Sequence, residues 1–218
     1  MRALPLCSLI FLCSCVGPSP AQLTTEHDYM VVVNSVRLPD SMPWYTVFAE
    51  HSWVDMKNGD EDSWQRVEIY NATSGPEVSS ITAEKVRTTH RFGNRSSVLS
   101  VAVGEEARLA IPVIHTFTER YELDYEAWPG PNSNTFISNL LDTVDGIDAQ
   151  LHHNAAGKDF PWGYFDLGFD SSGGIELHLM QLTLGVGFWP PAIKLPLLPR
   201  LGAHQGWVDA ASGITAAD

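Results

Sequence analysis

The sequence predicts an α+β domain in which helices pack on a mostly antiparallel sheet. Apolar and polar residues alternate from Trp44 to Met56 and again from Trp64 to Tyr70, and the turn signal Asn58-Gly59 between them predicts a β-hairpin. Helical spacing of apolar residues follows in 105–121 and 132–144. The order hairpin, helix, strand, helix, strand lacks the regular alternation that builds a parallel sheet, which favours α+β over α/β.

Four other segments have strand character: 28–37, 85–91, 121–128 and 175–186. The first contains Val31-Val32-Val33, whose β-branched side chains favour a buried strand. The second stands within the polar stretch 71–97, which predicts loops on both sides of it. The last two alternate, and each is predicted as one strand. A tail with Pro190, Pro191, Pro196 and Pro199 predicts an extended segment.

Two helices are predicted. The first has Glu105 and Glu106 at its start, where the helix dipole favours acids, but Pro112 predicts a kink or two short helices rather than one straight helix. The second is predicted to be capped by Asn132. The apolar positions of this second helix are Phe136, Ile137, Leu140, Leu141 and Val144.

Length and charge restrict the class of protein. The chain has 218 residues, 26 acidic and 13 basic side chains, and a formal net charge of −13. This length closes one core, so a single domain is predicted over 28–210, with a flexible tail at 211–218. The negative charge argues against a nucleic-acid partner, because binding to phosphates requires a basic face.

The N-terminus predicts export. Met1-Arg2 precedes an apolar stretch that fits a signal peptide, and Leu12-Cys13-Ser14-Cys15 resembles a bacterial lipobox. The resemblance implies a signal peptide at 1–14, lipid on Cys15 and a tether at 15–27, hence a lipoprotein of the cell envelope, anchored at the periplasmic face. The alternative is cleavage after Ala21 and a secreted or periplasmic soluble protein.

All three cysteines, Cys7, Cys13 and Cys15, lie in this N-terminal region. The body of the chain therefore has no disulfide framework, CxxC zinc site or cysteine nucleophile. It also lacks GxGxxG, GxxxxGK[ST] and HExxH motifs, so no cofactor or metal site is predicted.

Two residues in the body suggest acyl-transfer chemistry. His51 lies in the middle of the first hairpin strand, and Ser133 lies at the first turn of the second helix, where free N–H groups stabilise developing negative charge. Glu68, on the partner strand, is the predicted third group, with Arg66 and Tyr70 as alternatives because the strand register is open. Equally, His51 fits a packed core residue and Ser133 a helix cap.

The segment Trp128-Pro129-Gly130-Pro131-Asn132-Ser133-Asn134-Thr135-Phe136 resembles the signature of the bacterial domain-of-unknown-function family 3750. The blocks His51-Ser52-Trp53, Ala155 to Phe160, and Gly174 through the tail at Lys194-Leu195-Pro196 are similar to other parts of that family. The family in turn resembles the circularly permuted papain-like enzymes of the NlpC type. There a histidine strand precedes a helix that begins with the catalytic cysteine.

The resemblance implies a permuted papain-like fold with Ser133 in the place of the cysteine, His51 as base and Glu68 as third group. It also implies ligand contacts by Trp53, Trp128, Asn132 and Asn134. A serine in this place needs a better positioned base than a cysteine does, because a hydroxyl is not ionised near neutral pH.

Three hypotheses follow. The first is a serine-type hydrolase or acyltransferase acting on an amide or ester of a cell-wall peptide or lipid, with the N–H groups of Ser133 and Asn134 as oxyanion donors. The second is a non-catalytic, lipid-tethered binding module whose groove is lined by Trp44, Trp53, Trp128 and Trp162. The third is a structural protein of the envelope in which the Trp-Pro-Gly-Pro turn is a rigid corner.

Overall fold

The described residues form two antiparallel sheets and three α-helices. The structure was obtained as a computed structural model, which describes residues 19–42, 46, 49–59, 63–70, 73, 75–88, 90–122, 124–128, 130–152, 154–160, 165–169, 174–179, 182–188, 191–194 and 201–202. The prediction of an α+β class with a mostly antiparallel sheet is confirmed.

The first sheet contains β1 (Tyr29–Arg37), β2 (Glu50–Asn58), β3 (Trp64–Glu68), β4 (Glu77–Ile81), β5 (His90–Arg91) and β6 (Asn94–Val103), in the order β4-β3-β2-β1-β6-β5. The helices are α1 (Ala83–Val86), α2 (Glu105–Arg120) and α3 (Ser133–Thr143). The second sheet contains β7 (Phe165–Phe169), β8 (Ile175–Leu179), β9 (Leu182–Phe188), β10 (Pro191–Lys194) and β11 (Leu201–Gly202), in that spatial order.

One face of the first sheet forms the main core with α2 and α3. Val54 and Met56 of β2 are buried there, together with Ile111 of α2 and Phe136 of α3. These aliphatic and aromatic side chains remove a large apolar area from water, which is the main term that stabilises such a domain.

The opposite face of the sheet has an apolar end and a polar end. At the apolar end Met30 and Val32 are buried under Leu23 and Val86. At the polar end the register places His51 opposite Val36, Trp53 opposite Asn34, and Asp55 opposite Arg66. Because directly paired residues share a face, these polar side chains lie together on the face opposite the one that forms the main core with α2 and α3.

The predicted strands at 28–37 and 64–70, the hairpin at Asn58-Gly59 and the capped helix after Asn132 are confirmed. The alternating segment from Trp44 forms a strand only from Glu50, and residues 44, 45, 47 and 48 lie outside the described residues. Residues 19–27, part of the predicted tether, include a short 3-10 helix at Pro20–Gln22, and Leu23 packs against the sheet.

The predictions for 71–97 and 121–128 were largely wrong. The polar stretch forms β4, then the short helix α1 capped by Thr82, and only two residues of the predicted strand form β5. The long strand β6 was not predicted, because its buried serines, among them Ser96 and Ser100, hide the apolar pattern. The described residues of 121–128 form no strand, and the N–H of Glu126 donates instead to Pro131 O across a turn.

Three further predictions needed correction. Helix α2 is continuous, and Pro112 lies on its exposed side, so the prediction of two short helices was wrong. The single strand predicted at 175–186 is two strands, β8 and β9, that pair with each other. The proline-rich tail is extended at Pro191, as predicted, but Pro191 begins a strand, β10, that pairs with β9; Pro190, Pro196 and Pro199 lie outside the described residues. Within the described ranges, none of the helices combines the length and apolarity needed to cross a bilayer.

Candidate active site

Helix α3 is attached to the edge of β2 by Asn134. Strand β3 pairs with β2 only as far as Val54, and beyond that point the backbone of Ser52 and Glu50 bonds to a side chain instead of a strand. The side chain of Asn134 takes that place: its Oδ1 accepts from the N–H of Ser52 (3.1 Å), and its Nδ2 donates to Glu50 O (2.7 Å). The first turn of α3 is therefore held beside His51.

The N-terminus of α3 is fixed by a capping box. Oδ1 of Asn132 accepts from the N–H groups of Asn134 (3.0 Å) and Thr135 (3.2 Å), and Oγ1 of Thr135 accepts from the N–H of Asn132 (3.0 Å). Such a cap satisfies N–H groups that the helix itself cannot pair. It sets the position of Ser133, the first residue of the helix.

The predicted residues Ser133, His51 and Glu68 form one hydrogen-bonded chain. Ser133 Oγ lies 3.3 Å from His51 Nδ1, and His51 Nε2 lies 2.7 Å from Glu68 Oε2. His51 and Glu68 are buried, and Ser133 is half-buried. Since a carboxylate only accepts, Nε2 carries the proton toward Glu68, and in the neutral imidazole Nδ1 is then the acceptor for the hydroxyl of Ser133.

The register decides between Glu68 and its two alternatives. Arg66 lies opposite Asp55 and donates to it through Nε (2.6 Å) and Nη2 (2.9 Å), so it is engaged elsewhere. Tyr70 follows the end of β3 and is 64% exposed. Glu68 is thus the residue of the three that the fold brings to His51.

The charge state of Glu68 is set by two competing effects. Burial alone would raise its pKa, but the hydrogen bonds from His51 and Arg91, with the charge of Arg91, outweigh burial and lower the pKa of Glu68 to about 2. The carboxylate is therefore ionised at neutral pH and accepts from both neighbours.

Arg91 and Phe92 contribute to the site but were not predicted. Nη2 of Arg91 lies 2.7 Å from Oε1 and 2.8 Å from Oε2 of Glu68. The ring of Phe92 lies 5.8 Å from the ring of His51, centroid to centroid. Both residues belong to the hairpin of β5 and β6, which has no strong alternation, and no local sequence signal connects it with Glu68, 23 residues earlier.

A tyrosine is the second neighbour of the serine. The half-buried Tyr125 hydrogen-bonds to Ser133; burial raises the pKa of the Tyr125 phenol, and this hydrogen bond partly offsets the rise. The phenol therefore keeps its proton at neutral pH and lies within hydrogen-bond reach of the Ser133 hydroxyl.

The geometry changes the expected set of oxyanion donors. The N–H of Asn134 is not free, because it donates to the cap oxygen of Asn132. The N–H of Ser133 is the first of the helix, for which the helix itself has no acceptor, so it is the remaining candidate of the two predicted oxyanion donors.

The four residues predicted to contact a ligand lie in different environments. Trp128 is 45% exposed. Trp53 is 3% exposed and stacks under the His51 ring at a centroid distance of 6.1 Å. Asn132 and Asn134 are buried and hold the backbone of the site. Cys15, Trp44 and Trp162 lie outside the described residues.

A loop after α3 completes the support of the helix terminus. Nδ2 of both Asn132 and Asn134 donates to Ala156 O (3.0 Å each), and Thr135 Oγ1 donates to Gly157 O (2.6 Å). A Cβ at Gly157 would lie 2.2 Å from Asn132 Nδ2. The close approach of loop and cap therefore requires glycine at this position.

Two other features of the described residues do not coincide with this site. A groove of about 550 Å³ lies on α2, and neither Ser133 nor His51 is among the residues that line it, which are Pro112, Val113, Thr116, Phe117, Arg120, Tyr121 and Thr143. Among all the residues that the structure describes, no three His, Cys, Asp or Glu side chains are grouped so that they could hold a metal ion.

The fold and site together define an α+β protein in which a buried histidine links the first residue of a capped helix to a carboxylate on a neighbouring strand. The profile of one family, described as protein of unknown function (DUF3750), matches residues 31–160, and the chain belongs to this family. Neither a curated protein nor a solved structure gave a significant match.

Proposed function

We propose that this protein is a serine-type hydrolase or acyltransferase with Ser133 as nucleophile, His51 as general base and Glu68 as the group that orients the base. The observation that carries the proposal is the unbroken chain of hydrogen bonds, 3.3 Å from Ser133 to His51 and 2.7 Å from His51 to Glu68. Nucleophile and base within hydrogen-bond reach, with a third group orienting the base, is the arrangement that covalent acyl transfer requires.

The chemical steps follow from the tautomer of His51. The hydroxyl proton of Ser133 passes to Nδ1 of His51 as Oγ forms a bond to the substrate carbonyl carbon. Nδ1 then returns the proton to the leaving amine or alcohol, and a water or second acceptor repeats the sequence in reverse to release the acyl group. Glu68 stabilises the imidazolium that exists between these steps.

The histidine ring is used in the opposite sense to that of the trypsin-like serine proteases. In those enzymes Nε2 faces the serine and Nδ1 faces the carboxylate, whereas here Nδ1 faces Ser133 and Nε2 faces Glu68. The location of Ser133 at the start of a helix, with the histidine on a strand, supports the proposed kinship with the permuted papain-like enzymes of the NlpC type.

The substrate class and location belong to the same proposal. We expect an amide or ester of a cell-wall peptide or lipid, reached by an envelope lipoprotein anchored through Cys15. The lipobox-like Leu12-Cys13-Ser14-Cys15 supports the anchor, and the partly exposed Trp128 beside the helix terminus supports a ligand contact.

A fluorophosphonate probe tests the proposal. Attack by Ser133 Oγ forms an O–P bond and expels fluoride, while His51 takes the proton. We expect the purified protein to be labelled and Ser133→Ala to be unlabelled. Ser138→Ala on the same helix is the control and should label as the wild type does. Absence of labelling in folded wild-type protein contradicts a serine enzyme.

One observation favours a second candidate, a non-catalytic binding module that uses the same site. Because the N–H of Asn134 is occupied by the cap, the site has fewer oxyanion donors than a helix start can offer. A binding module would bind wall peptides without turning them over and would remain unlabelled by the probe.

A further inference from the structure

The hairpin that joins β5 to β6 has an unusual turn. Phe92 has a φ of 55° and Gly93 a φ of 79°, and among the described residues Phe92 is the one non-glycine residue with positive φ. A left-handed conformation is strained for a non-glycine residue, because its Cβ comes too close to the backbone carbonyl oxygen. Such a conformation persists where surrounding contacts determine it, and it often marks a functional site.

The contacts of this turn converge on the candidate active site. The Phe92 ring packs against the rings of His51 (5.8 Å) and Tyr70 (6.0 Å). The preceding residue, Arg91, directs its guanidinium to Glu68. The turn and the residue before it therefore place the Phe92 ring beside His51 and the Arg91 guanidinium beside Glu68.

Arg91 is held by aromatic rings. Its guanidinium carbon lies 4.6 Å from the ring centroid of Trp53, 4.8 Å from that of Phe92 and 5.8 Å from that of Tyr70, and its side chain is 16% exposed. Attraction between the cation and the ring faces, together with the planar shape of the guanidinium, restricts its orientation.

Arg91 and His51 share one oxygen of Glu68. Oε2 accepts from His51 Nε2 at 2.7 Å and from Arg91 Nη2 at 2.8 Å, and the same Nη2 lies 2.7 Å from Oε1. Since both oxygens face Arg91, rotation of the carboxylate away from His51 would lose charge-assisted hydrogen bonds in a buried place.

We propose that Arg91 is a positioning residue that holds the Glu68 carboxylate in the orientation that receives the Nε2–H of His51, and so maintains the tautomer whose Nδ1 accepts from Ser133. The kinetic consequence rests on the proposed function, but the consequence for the His51 proton does not.

The kinetic test uses the full-length protein with Arg91→Met, which removes the charge, and Arg91→Lys, which keeps the charge but loses the planar guanidinium. We expect the second-order rate of fluorophosphonate labelling to fall at least tenfold in Arg91→Met and by a smaller factor in Arg91→Lys. Arg108→Met is the matched control: this exposed arginine on α2 pairs with Glu105, and its loss should change the rate less than twofold. Circular dichroism verifies that each variant is folded.

The second test is a proton NMR spectrum, which needs no catalysis. The Nε2–H of His51, buried and donated to Glu68, should give a far-downfield resonance that His51→Gln eliminates. We expect this resonance to be lost in Arg91→Met, weakened in Arg91→Lys, and unchanged in Arg108→Met and Ser133→Ala.

The outcomes separate the two proposals. If the wild type is not labelled but the resonance depends on Arg91, the positioning role stands and the enzyme proposal fails. If the wild type is labelled and a folded Arg91→Met or Arg91→Lys retains both the rate and the resonance, the positioning role is overturned. If Arg91→Met does not fold, Arg91→Lys decides by the same two measurements.

Discussion

Glu68 joins two donors that approach from different directions, His51 from β2 and Arg91 from the β5–β6 turn. The desolvation of a buried carboxylate can outweigh the attraction of a single partner, and at Glu68 the hydrogen bonds of two donors together outweigh it. Removal of either donor leaves the charge of Glu68 less compensated in the interior. Because the ionised carboxylate is stabilised in the folded protein, the stability of the fold depends on pH.

We expect Glu68→Gln to weaken the dependence of stability on acid pH. The pKa of Glu68 is lowered from 4.5 to about 2, so its ionised form stabilises the folded state above pH 4.5, and this stabilisation is lost as the pH falls toward 2. Over that interval the wild type should lose on the order of 3 kcal/mol that the variant cannot lose, although the variant is less stable at neutral pH.

The free energy of unfolding in urea at several pH values between 6 and 3 measures this difference in slope. Glu105→Gln is the control, because Glu105 is an exposed partner of Arg108 on α2, where solvent screens the pair. Equal slopes in the wild type and Glu68→Gln would contradict the lowered pKa of Glu68.

The sequence predicted individual residues of the site where one turn connected them. Glu68 was predicted because the Asn58-Gly59 hairpin brings its strand beside that of His51, although only the register excludes Arg66. Arg91 was not predictable in the same way. It reaches Glu68 from beyond β4 and α1, and no periodicity in the sequence specifies that contact.

At the scale of elements, the site depends on how the start of α3 is fixed against the sheet and against the loop 154–160. Asn132 and Asn134 each connect the helix to that loop through Ala156 O, while Asn134 also connects it to β2. Side-chain amides with donors and acceptors in fixed directions can make several such bonds at once, which explains two asparagines flanking Ser133.

We expect Gly157→Ala to destabilise the fold and to separate Ser133 from His51. At this position φ is +89°, and the added Cβ would lie 2.2–2.6 Å from three side-chain atoms of Asn132, so the cap or the loop must move. The loss of stability should be roughly 2–4 kcal/mol, from the strained φ and the overlap together.

Gly75→Ala is the matched control for this change. Gly75 also has a positive φ, +70°, but its Cβ would meet nothing within 4 Å, so only the conformational cost of about 1 kcal/mol remains. Thermal or urea unfolding of both variants, with the labelling rate of each, makes the comparison. Similar losses in the two variants would show that the contact between Gly157 and Asn132 is not tight.

Helices and strands were predicted well where a local sequence signal specifies them. They were predicted poorly where contacts with distant parts of the chain determine the structure. β1 follows from Val31-Val32-Val33 and α3 from the cap Asn132, both of which are local. β6 was missed because Ser96 and Ser100 are buried by pairing with β1, a non-local contact. The alternation at 121–128 gave a false strand, since the chain there turns from Glu126 to Pro131 and finds no sheet.

At the scale of the whole molecule, the family match and the site coincide. Residues 31–160 contain most of the first sheet, helices α1 to α3 and the loop 154–160, which is hydrogen-bonded to the start of α3. The match stops before the second sheet begins at Phe165. All the residues proposed for chemistry or positioning, from His51 to Ser133, lie within it. The proposed chemistry is therefore a hypothesis about the region that the family model matches.

The net charge of −13 bears on how such a molecule would stay at a membrane. Bacterial lipid surfaces are largely anionic and repel an acidic chain, so the proposed attachment must be hydrophobic, through lipid on Cys15, rather than electrostatic.

When the gene is expressed in a bacterium, we expect the wild type to sediment with membranes, to resist extraction by 1 M NaCl and to be released by detergent. Cys15→Ala should move to the soluble fraction, and Cys13→Ala is the matched control. Because salt removes only proteins held by charge, wild-type release by NaCl, or Cys15→Ala still sedimenting with membranes, would contradict the lipid anchor.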